Sequence, residues 1–279
     1  MAARKRKAPS NGKDEGKLDR SLFPDDIRPD FEGFRPAAFT FLRRLKRNNE
    51  RAWFLANKET YEAEVKFPLE CLIAEFAPDR QVDRGLSVRG DPQRAVFRVN
   101  RDVRFSNNKQ PYKTHAGAVL SRGGGRGEPG VVYVHIEPGN CRVSAGFWRT
   151  EPHELTAWRN RIVDDPEAWL DIVGPYADSK GLNPKGRMFM RTISALARLP
   201  RGFQEHKDAA IAPYLLWKSF LLTRPLTDVE AQGRGLIDIV RTVARAAVPL
   251  LEFGWAVVDA PSDKDPRRHA AAAGLREID

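Results

Sequence analysis

The chain has 279 residues, of which 41% are hydrophobic and 30% are charged, a composition that excludes a disordered or fibrous protein and supplies a sizeable core. No apolar run approaches the ~18 residues that would cross a bilayer, and the basic N-terminus lacks the apolar segment of a secretory signal, so we expect a cytoplasmic protein with no membrane contact. The formal net charge of +10 favours phosphate-bearing partners through counterion release, but it carries no information about the fold.

The two ends of the chain lack the periodicity of folded elements. The first 20 residues hold seven Lys/Arg against three Asp/Glu and no apolar repeat, so residues 1–25 are predicted to be a disordered basic tail. Residues 259–279 are predicted to be a loosely ordered C-terminal tail. Between them, residues 26–258 are predicted to form one globular domain.

The N-terminal part of this domain is predicted to be helical. Residues 35–48 place apolar side chains at i, i+3, i+4 and i+7, which is typical of an amphipathic helix. A second helix is predicted over residues 51–77, where Pro68 should kink or split it. A loop follows at residues 79–93, with a short strand at residues 86–88.

Four consecutive segments then show the patterns of extended strands. They cover residues 95–101, 114–120, 131–137 and 141–148. Alternation is clearest in 131–137, where three aliphatic side chains alternate with Tyr133, His135 and Glu137. The glycine-rich residues 121–130 lack the GxxxxGK[ST] pattern of a P-loop and are predicted to be a plain hairpin loop.

The C-terminal part is again mostly helical. Helices are predicted over residues 152–163, 166–173 and 227–251, the last capped by Thr227. A strand is predicted at residues 188–193, and residues 209–222 form a helical or extended apolar segment. Helices, then consecutive antiparallel strands, then more helices predict an α+β fold, with a central antiparallel sheet and helices from the N- and C-terminal parts packed on it.

The two cysteines follow no metal-binding or redox spacing. Cys71 falls in a helical pattern and Cys141 in a strand pattern. Both are therefore predicted to be buried, reduced thiols, as is usual in a cytoplasmic protein.

Charge is concentrated in residues 98–118, which read RVNRDVRFSNNKQPYKTHAGA and contain a turn-forming centre between two extended halves. So many cations in one short segment either face solvent or converge on an anion. In the second case Asp102 would orient an arginine through a bidentate pair. The residues predicted to bind the anion are Arg98, Arg101, Arg104, Lys109, Tyr112, Lys113 and Arg142.

Side-chain alternation predicts which neighbouring residues share a face with this segment. A slip of one residue would invert both faces of a strand pair, so the apolar layer fixes the register. Placing Val134 opposite Val143 in that layer sets His135 opposite Arg142 in the polar layer.

The strand that precedes this hairpin has two allowed registers. Placing Ala118 and Leu120 in the core brings His115 close to Glu137 on the polar face. The alternative turns Val119 inward and places His115 in the core.

Three functions fit this predicted surface. The first is binding of a phosphate-bearing small molecule or nucleic acid through residues 98–115. The second is an enzyme that acts on a phosphate-bearing substrate by acid–base catalysis. Its candidate catalytic residues are His115, His135, Glu137 and Asp102. The third is a protein-interaction module in which the charges form a structural salt-bridge network.

A metal site is the weakest hypothesis for these residues. His115, His135 and Glu137 match a two-histidine, one-carboxylate set, but their spacing is weak and depends on the register, so no metal is predicted. The sequence leaves open the cofactor, the oligomeric state and whether the protein is an enzyme.

Several stretches resemble a known family. They lie in the same order from Phe31 to Trp255 and read FEGF (31–34), FLRRLKRNNERAWFLANKETYE (41–62), RVNRDVRFSNNKQPYKTH (98–115), YVHIEP (133–138) and LPRGF (199–203). They resemble domain-of-unknown-function family 2461, widespread in bacteria and fungi, and the long RDxRFS…KxPYKTH core makes the resemblance specific. Asn108 stands where the family usually has an acid, which argues against an essential carboxylate there. The resemblance implies a single cytosolic α+β domain and carries over no activity and no catalytic residue.

Overall fold

The computed structural model describes residues 28–77, 85–104, 107–148, 150–177 and 187–260. The helices are α1 (Pro36–Arg47), α2 (Arg51–Ala56), α3 (Lys58–Tyr61), a π-helical turn (Glu62–Lys66), α4 (Phe67–Ala74), α5 (Pro92–Ala95), α6 (Pro152–Asp164), α7 (Pro166–Val173), α8 (Ala212–Leu215), α9 (Asp228–Gln232), α10 (Leu236–Ala246) and α11 (Val248–Val258), with short 3-10 turns at Gly174–Tyr176 and Gln204–His206. The strands are β1 (Ala116–Leu120), β2 (Val131–Ile136), β3 (Cys141–Phe147), β4 (Phe189–Arg191) and β5 (Phe220–Leu226). This arrangement confirms the predicted single α+β domain. The predicted tail at residues 1–25 lies outside the described residues, and only residues 259 and 260 of the C-terminal one are described.

The sheet has five antiparallel strands in the order β1-β2-β3-β5-β4. Both predicted registers are confirmed, because Val134 lies opposite Val143 and Ala118 lies opposite Val134. His115, which precedes β1, is therefore brought beside Glu137, which follows β2.

The two faces of the sheet differ in chemistry. One face carries fully buried aliphatic side chains such as Val132, Val134 and Val143. On this side Phe147 packs edge-on against Trp158 of α6 at 5.0 Å between ring centroids, and α10 and α11 contact β3. The opposite face carries polar side chains from β2, β3 and β5, so it is the face that is able to hold a polar ligand.

The predicted second helix, residues 51–77, is divided, as expected, but the divisions lie before Pro68, which falls inside α4. The helix is interrupted at Asn57, whose backbone angles (φ −117°, ψ 13°) are not helical. The Asn57 N–H still donates to the carbonyl of Trp53 at 3.2 Å. The helix then widens into the π-helical turn directly before Pro68, which has no N–H to donate to the preceding turn.

The predicted long C-terminal helix, residues 227–251, is also three helices. Thr227 caps α9 as predicted, by accepting the N–H of Glu230 at 3.2 Å. Gly233 then ends α9, and Pro249 lies in the first turn of α11, where its missing N–H costs nothing.

Two predicted strands before β1 are wrong. Residues 86–88 form no strand, and only Arg89 makes an isolated bridge, to Ser121. Residues 95–101 are not a regular strand either, because α5 occupies Pro92–Ala95 and the following backbone pairs only at isolated bridges. The predicted strand at 188–193 is confirmed as β4.

Both cysteines are buried free thiols, as predicted. The Cys141 thiol donates to the carbonyl of Glu137 at 3.1 Å, and burial raises its pKa to about 11. Such a thiol stays protonated at neutral pH.

Among the described residues, no helix is both long and apolar enough to cross a membrane.

Candidate functional site

In the described residues of the basic segment, 98–104 and 107–115, backbone pairing joins the two halves. Arg101 donates its N–H to the carbonyl of Pro111, and Lys113 donates to Val99, both at 2.8 Å. These bonds flank the bridge between Asn100 and Tyr112. The two halves of the segment therefore fold back on each other as a narrow arm.

Asn49, which follows α1, ties this arm to the domain. Its amide accepts the N–H of Tyr112 and donates to the carbonyl of the same residue, both at 3.0 Å. The Tyr112 ring is buried and stacks on Phe54 at 4.2 Å between centroids. The structure thus places the predicted ligand-binding Tyr112 in the core, as the anchor of the arm.

Two of the predicted cations bind within the arm itself. Arg104 forms a two-pronged pair with Asp102, at 2.7 and 3.0 Å, and this pair lowers the pKa of Asp102 to about 2. Both side chains are exposed, so the pair contributes little to stability. Lys109 donates to the carbonyl of Val103 at 3.1 Å.

Lys113 lies among other cations. Its ammonium group donates to the carbonyl of Arg98 at 2.9 Å and lies 5.3 Å from the centroid of the Phe97 ring. Burial lowers the pKa of Lys113, and the charges of Arg98 and Arg126 lower it further. Arg126 itself lies 6.0 Å from the same Phe97 ring.

The like charges continue across the polar face of the sheet. Burial lowers the pKa of His115, and the charges of Lys113, Arg142 and Arg101 lower it further. Burial lowers the pKa of Arg142 on β3, and the charge of Arg191 on β4 lowers it further. We call this set the cationic row. Its members are Arg98, Arg101, Lys113, Arg126, Arg142 and Arg191. Within the described part of the chain, no carboxylate lies within ion-pair distance of any of them.

Beside the row, three side chains of β2 and its following turn form a hydrogen-bonded chain. Tyr133 Oη lies 3.0 Å from His135 Nδ1, and His135 Nε2 lies 3.2 Å from Glu137 Oε2. The same carboxylate oxygen accepts from Asn140 at 2.7 Å. A carboxylate accepts only, so a neutral His135 carries its proton on Nε2, and Nδ1 accepts the proton of the Tyr133 hydroxyl.

Burial sets the ionisation of this chain. Burial and the charges of Arg142 and His115 lower the pKa of His135 to about 4, so it is neutral at pH 7. Burial raises the pKa of Tyr133 to about 12. Burial alone would raise the pKa of Glu137, but hydrogen bonds from Asn140 and His135 outweigh it and lower the pKa. The His115 ring lies 4.4 Å from that of His135.

Gly117 makes room for this arrangement. It lies opposite His135 in the sheet, and a Cβ there would stand 2.6 Å from the Tyr133 hydroxyl. Only glycine therefore lets the Tyr133 ring lie across β1 and reach Nδ1. Among the described residues, no group of three or more His, Cys, Asp or Glu side chains is arranged to hold a metal ion.

The structure brings most of the predicted residues together and adds several. Arg98, Arg101, Lys113, His115 and Arg142 meet around the polar face together with His135 and Glu137, whereas Tyr112 is buried in the core and Asp102, Arg104 and Lys109 bind within the arm. The residues that sequence reasoning missed are Asn49, Gly117, Arg126, Asn140 and Arg191. Arg126 lies in the glycine-rich loop that was predicted to be a plain hairpin loop. No sequence signal indicated that β4 pairs with β5 and so joins the sheet that contains β3.

The chain matches one protein-family model, described as "Conserved hypothetical protein (DUF2461)", over residues 37–253. That match covers most of the chain and includes nearly all of α1, the arm, the sheet and the first six residues of α11. No curated protein and no solved structure matches the chain.

Proposed function

The chain belongs to the conserved hypothetical protein family DUF2461, whose description names no activity, and from the geometry of the cationic row we propose that it binds a phosphate-bearing ligand. The observation that carries the proposal is that Lys113 and Arg142 are partly buried among other cations. A partly buried charge is costly when no opposite charge lies close to it. A bound phosphate would supply that charge to several members of the row at once.

The ligand class follows from the donors that the row offers. Guanidinium groups bind phosphate oxygens in pairs of parallel hydrogen bonds, and the row contains five arginines. Phe97, which lies beneath Lys113 and near Arg126, adds an apolar surface next to these donors. A small phosphate ester and a short nucleic acid strand both present this chemistry, and the experiments below separate them.

The proposal predicts that Arg101→Ala combined with Lys113→Ala lowers the affinity for pyrophosphate at least ~100-fold. Each hydrogen bond to a charged phosphate contributes roughly 1.5–3 kcal/mol, and two such partners are removed. The melting temperature without ligand should change little. The Lys113 side chain donates one hydrogen bond, to the carbonyl of Arg98. The pairing of the arm is made by backbone groups, which alanine retains. Affinity is measured by isothermal titration calorimetry and stability by thermal unfolding.

A matched control removes the same charge elsewhere. Arg201→Ala combined with Lys207→Ala changes two exposed cations outside the row, and this pair should leave pyrophosphate affinity nearly unchanged. A large loss of stability with unchanged binding would instead favour a structural network in the arm. If a single-stranded oligonucleotide binds much more tightly than pyrophosphate, with a steep dependence on salt, the natural ligand is a nucleic acid.

A second candidate function is an enzyme that acts on the bound phosphate compound. The chain of hydrogen bonds from Tyr133 through His135 to Glu137 favours it, since a neutral imidazole that is oriented by a carboxylate is a common acid–base group. Glu137 also borders an open groove of about 290 Å³ together with Thr114 and Lys46. A substrate would therefore reach the carboxylate end of the chain from solvent.

This candidate requires a neutral His135, and the pH dependence of stability tests that requirement. The pKa of His135 is about 4 in the folded protein, against an ordinary value of 6.5. Below pH 6.5 the unfolded chain takes up a proton that the folded protein does not, so stability falls as the pH drops from 6.5 to 4. The expected loss is about 2 kcal/mol in the free energy of unfolding at pH 4.5.

His135→Gln provides the comparison, because glutamine keeps a donor for Glu137 but does not titrate. The acid limb of its stability curve should be flatter than that of the unmodified protein, as measured by urea unfolding at a series of pH values. An acid limb of equal steepness in both proteins would mean that folding does not lower the pKa of His135, which contradicts the buried, neutral imidazole that this candidate requires.

A further inference from the structure

A cleft of about 490 Å³ adjoins one end of the cationic row. It lies between the π-helical turn, α5 and the first residues of the arm. Its walls include the rings of Tyr61 and Phe97 and the aliphatic side chains of Val96 and Val99, while Arg98 and Arg126 stand at its edge. The cleft thus combines apolar walls with two members of the row.

We propose that this cleft binds the planar ring of an organic phosphate whose phosphate group lies against Arg98, Lys113 and Arg126. The ligand is then a nucleotide-like compound rather than a free phosphate or a sugar phosphate. This inference rests on the proposed function, since it takes the cationic row as the site of the phosphate.

The charges inside the cleft agree with an anionic ligand. Its two carboxylates are already paired, Glu62 with Lys66 at 3.1 Å and Glu70 with Arg28 at 3.1 Å. Four cations against two carboxylates leave an excess of two positive charges around the cleft. The carboxylates therefore do not repel a phosphate as isolated charges would.

The walls favour a ring over a sugar. Phe97 is half-buried and lines the cleft, and stacking of a base on an aromatic side chain contributes roughly 1–3 kcal/mol. A sugar phosphate has no planar ring to stack on Phe97, so it lacks this contribution. The volume lies within the range of ~300–1,000 Å³ that is usual for small-ligand pockets.

The geometry also places the two parts of such a ligand next to each other. Lys113 lies 5.3 Å and Arg126 lies 6.0 Å from the centroid of the Phe97 ring. The same ring forms part of the cleft wall. A ligand ring in the cleft would therefore lie next to the cations that receive its phosphate group.

The experiment compares pyrophosphate, ribose 5-phosphate, adenosine 5′-monophosphate and uridine 5′-monophosphate by isothermal titration calorimetry. At least one nucleotide should bind ten-fold or more tightly than ribose 5-phosphate, because only the nucleotides carry a ring for the cleft. Gln93→Trp tests the location, since Gln93 is an exposed residue of α5 that lines the cleft. The indole should fill the cleft, remove the ten-fold gain and leave pyrophosphate affinity unchanged. Gln93→Ala, the matched control, should keep the gain.

Each other outcome has a definite meaning. Equal affinities for ribose 5-phosphate and both nucleotides, with pyrophosphate still bound, would overturn the ring site and leave the anion site standing. A gain from the ring that survives in Gln93→Trp would overturn its location in this cleft. If none of the four compounds binds, the proposed function and this inference fall together.

Discussion

Replacing Gly146 by alanine is expected to destabilise the protein by at least about 3 kcal/mol, or to prevent folding. Gly146 has a φ of +129°, which a residue with a Cβ rarely adopts. A Cβ at this position would also stand 2.1 Å from the carbonyl oxygen of Phe220. That oxygen belongs to the backbone of β5, so the clash is relieved only by moving β5 away from β3.

The control is Gly127→Ala. Gly127 also has a positive φ, of +88°, but nothing lies within 4 Å of a Cβ built there. Its replacement should cost about 1 kcal/mol, from the backbone strain alone. Urea unfolding of both variants measures the two losses of stability, as shifts of the unfolding midpoint with an unchanged slope of the transition. A loss in Gly146→Ala no larger than that in Gly127→Ala would show that the pairing of β3 with β5 tolerates the displacement.

This position matters for the site because β5 joins β4 to the rest of the sheet. Gly146 lies opposite Leu221 of β5, and Leu221 lies opposite Arg191 of β4. Arg191 approaches Arg142 only through this chain of pairings. A shift of β5 would therefore change the position of Arg191 relative to Arg142.

The hairpin of β2 and β3 shows what alternation in the sequence is able to predict. Val134 and Val143 alternate with polar residues in both strands, so one apolar layer determined the register and placed His135 opposite Arg142. The candidate pair His135 and Glu137 follows from the same period of two. Local pattern was sufficient here because each strand has one apolar and one polar face.

The strand β5 shows where the pattern fails. Phe220, Leu221, Leu222 and Thr223 are all buried, so the sequence has no alternation to mark a strand, and the predicted apolar segment stopped at residue 222. Arg126 and Arg191 join the site from a loop and from β4, and such long-range pairings leave no local signal. The breaks at Asn57 and Gly233 lie in polar stretches between apolar residues that one helix period still connects, so the pattern was interpreted as one long helix.

The resemblance to the family was more informative about the fold than about the chemistry. It implied a single α+β domain, which the structure has, but it offered no residue roles. Asn49 and Tyr112 both fall within the stretches that carry the resemblance, yet neither touches the cationic row. Their pairing indicates that part of this shared pattern specifies how the arm is attached, rather than what it binds.

Replacing Asn49 by alanine is the second large effect that we expect. The Asn49 amide occupies the outer side of the bridge between Asn100 and Tyr112, where it satisfies both backbone groups of Tyr112 as a neighbouring strand would. Its removal leaves an N–H and a carbonyl without those partners, at a cost of about 2–3 kcal/mol in the free energy of unfolding. The amides of Arg101 and Lys113 should exchange with solvent faster, since the arm is no longer held against α1.

Two variants separate this role of Asn49 from a general effect of changing a polar side chain at the end of α1. Asn48→Ala removes one hydrogen bond to the carbonyl of Arg44 on an exposed helix end and should cost less than about 1 kcal/mol. Asn49→Asp keeps the acceptor for the Tyr112 N–H but places a carboxylate oxygen against the Tyr112 carbonyl, so at neutral pH it should be no more stable than Asn49→Ala. Because the arm carries Arg98, Arg101 and Lys113, Asn49→Ala should also weaken pyrophosphate binding at least ten-fold, although Asn49 itself is no part of the cationic row. Unchanged amide exchange at Arg101 and Lys113 in Asn49→Ala would mean that the pairing within the arm and the stacking of Tyr112 on Phe54 are sufficient to hold it.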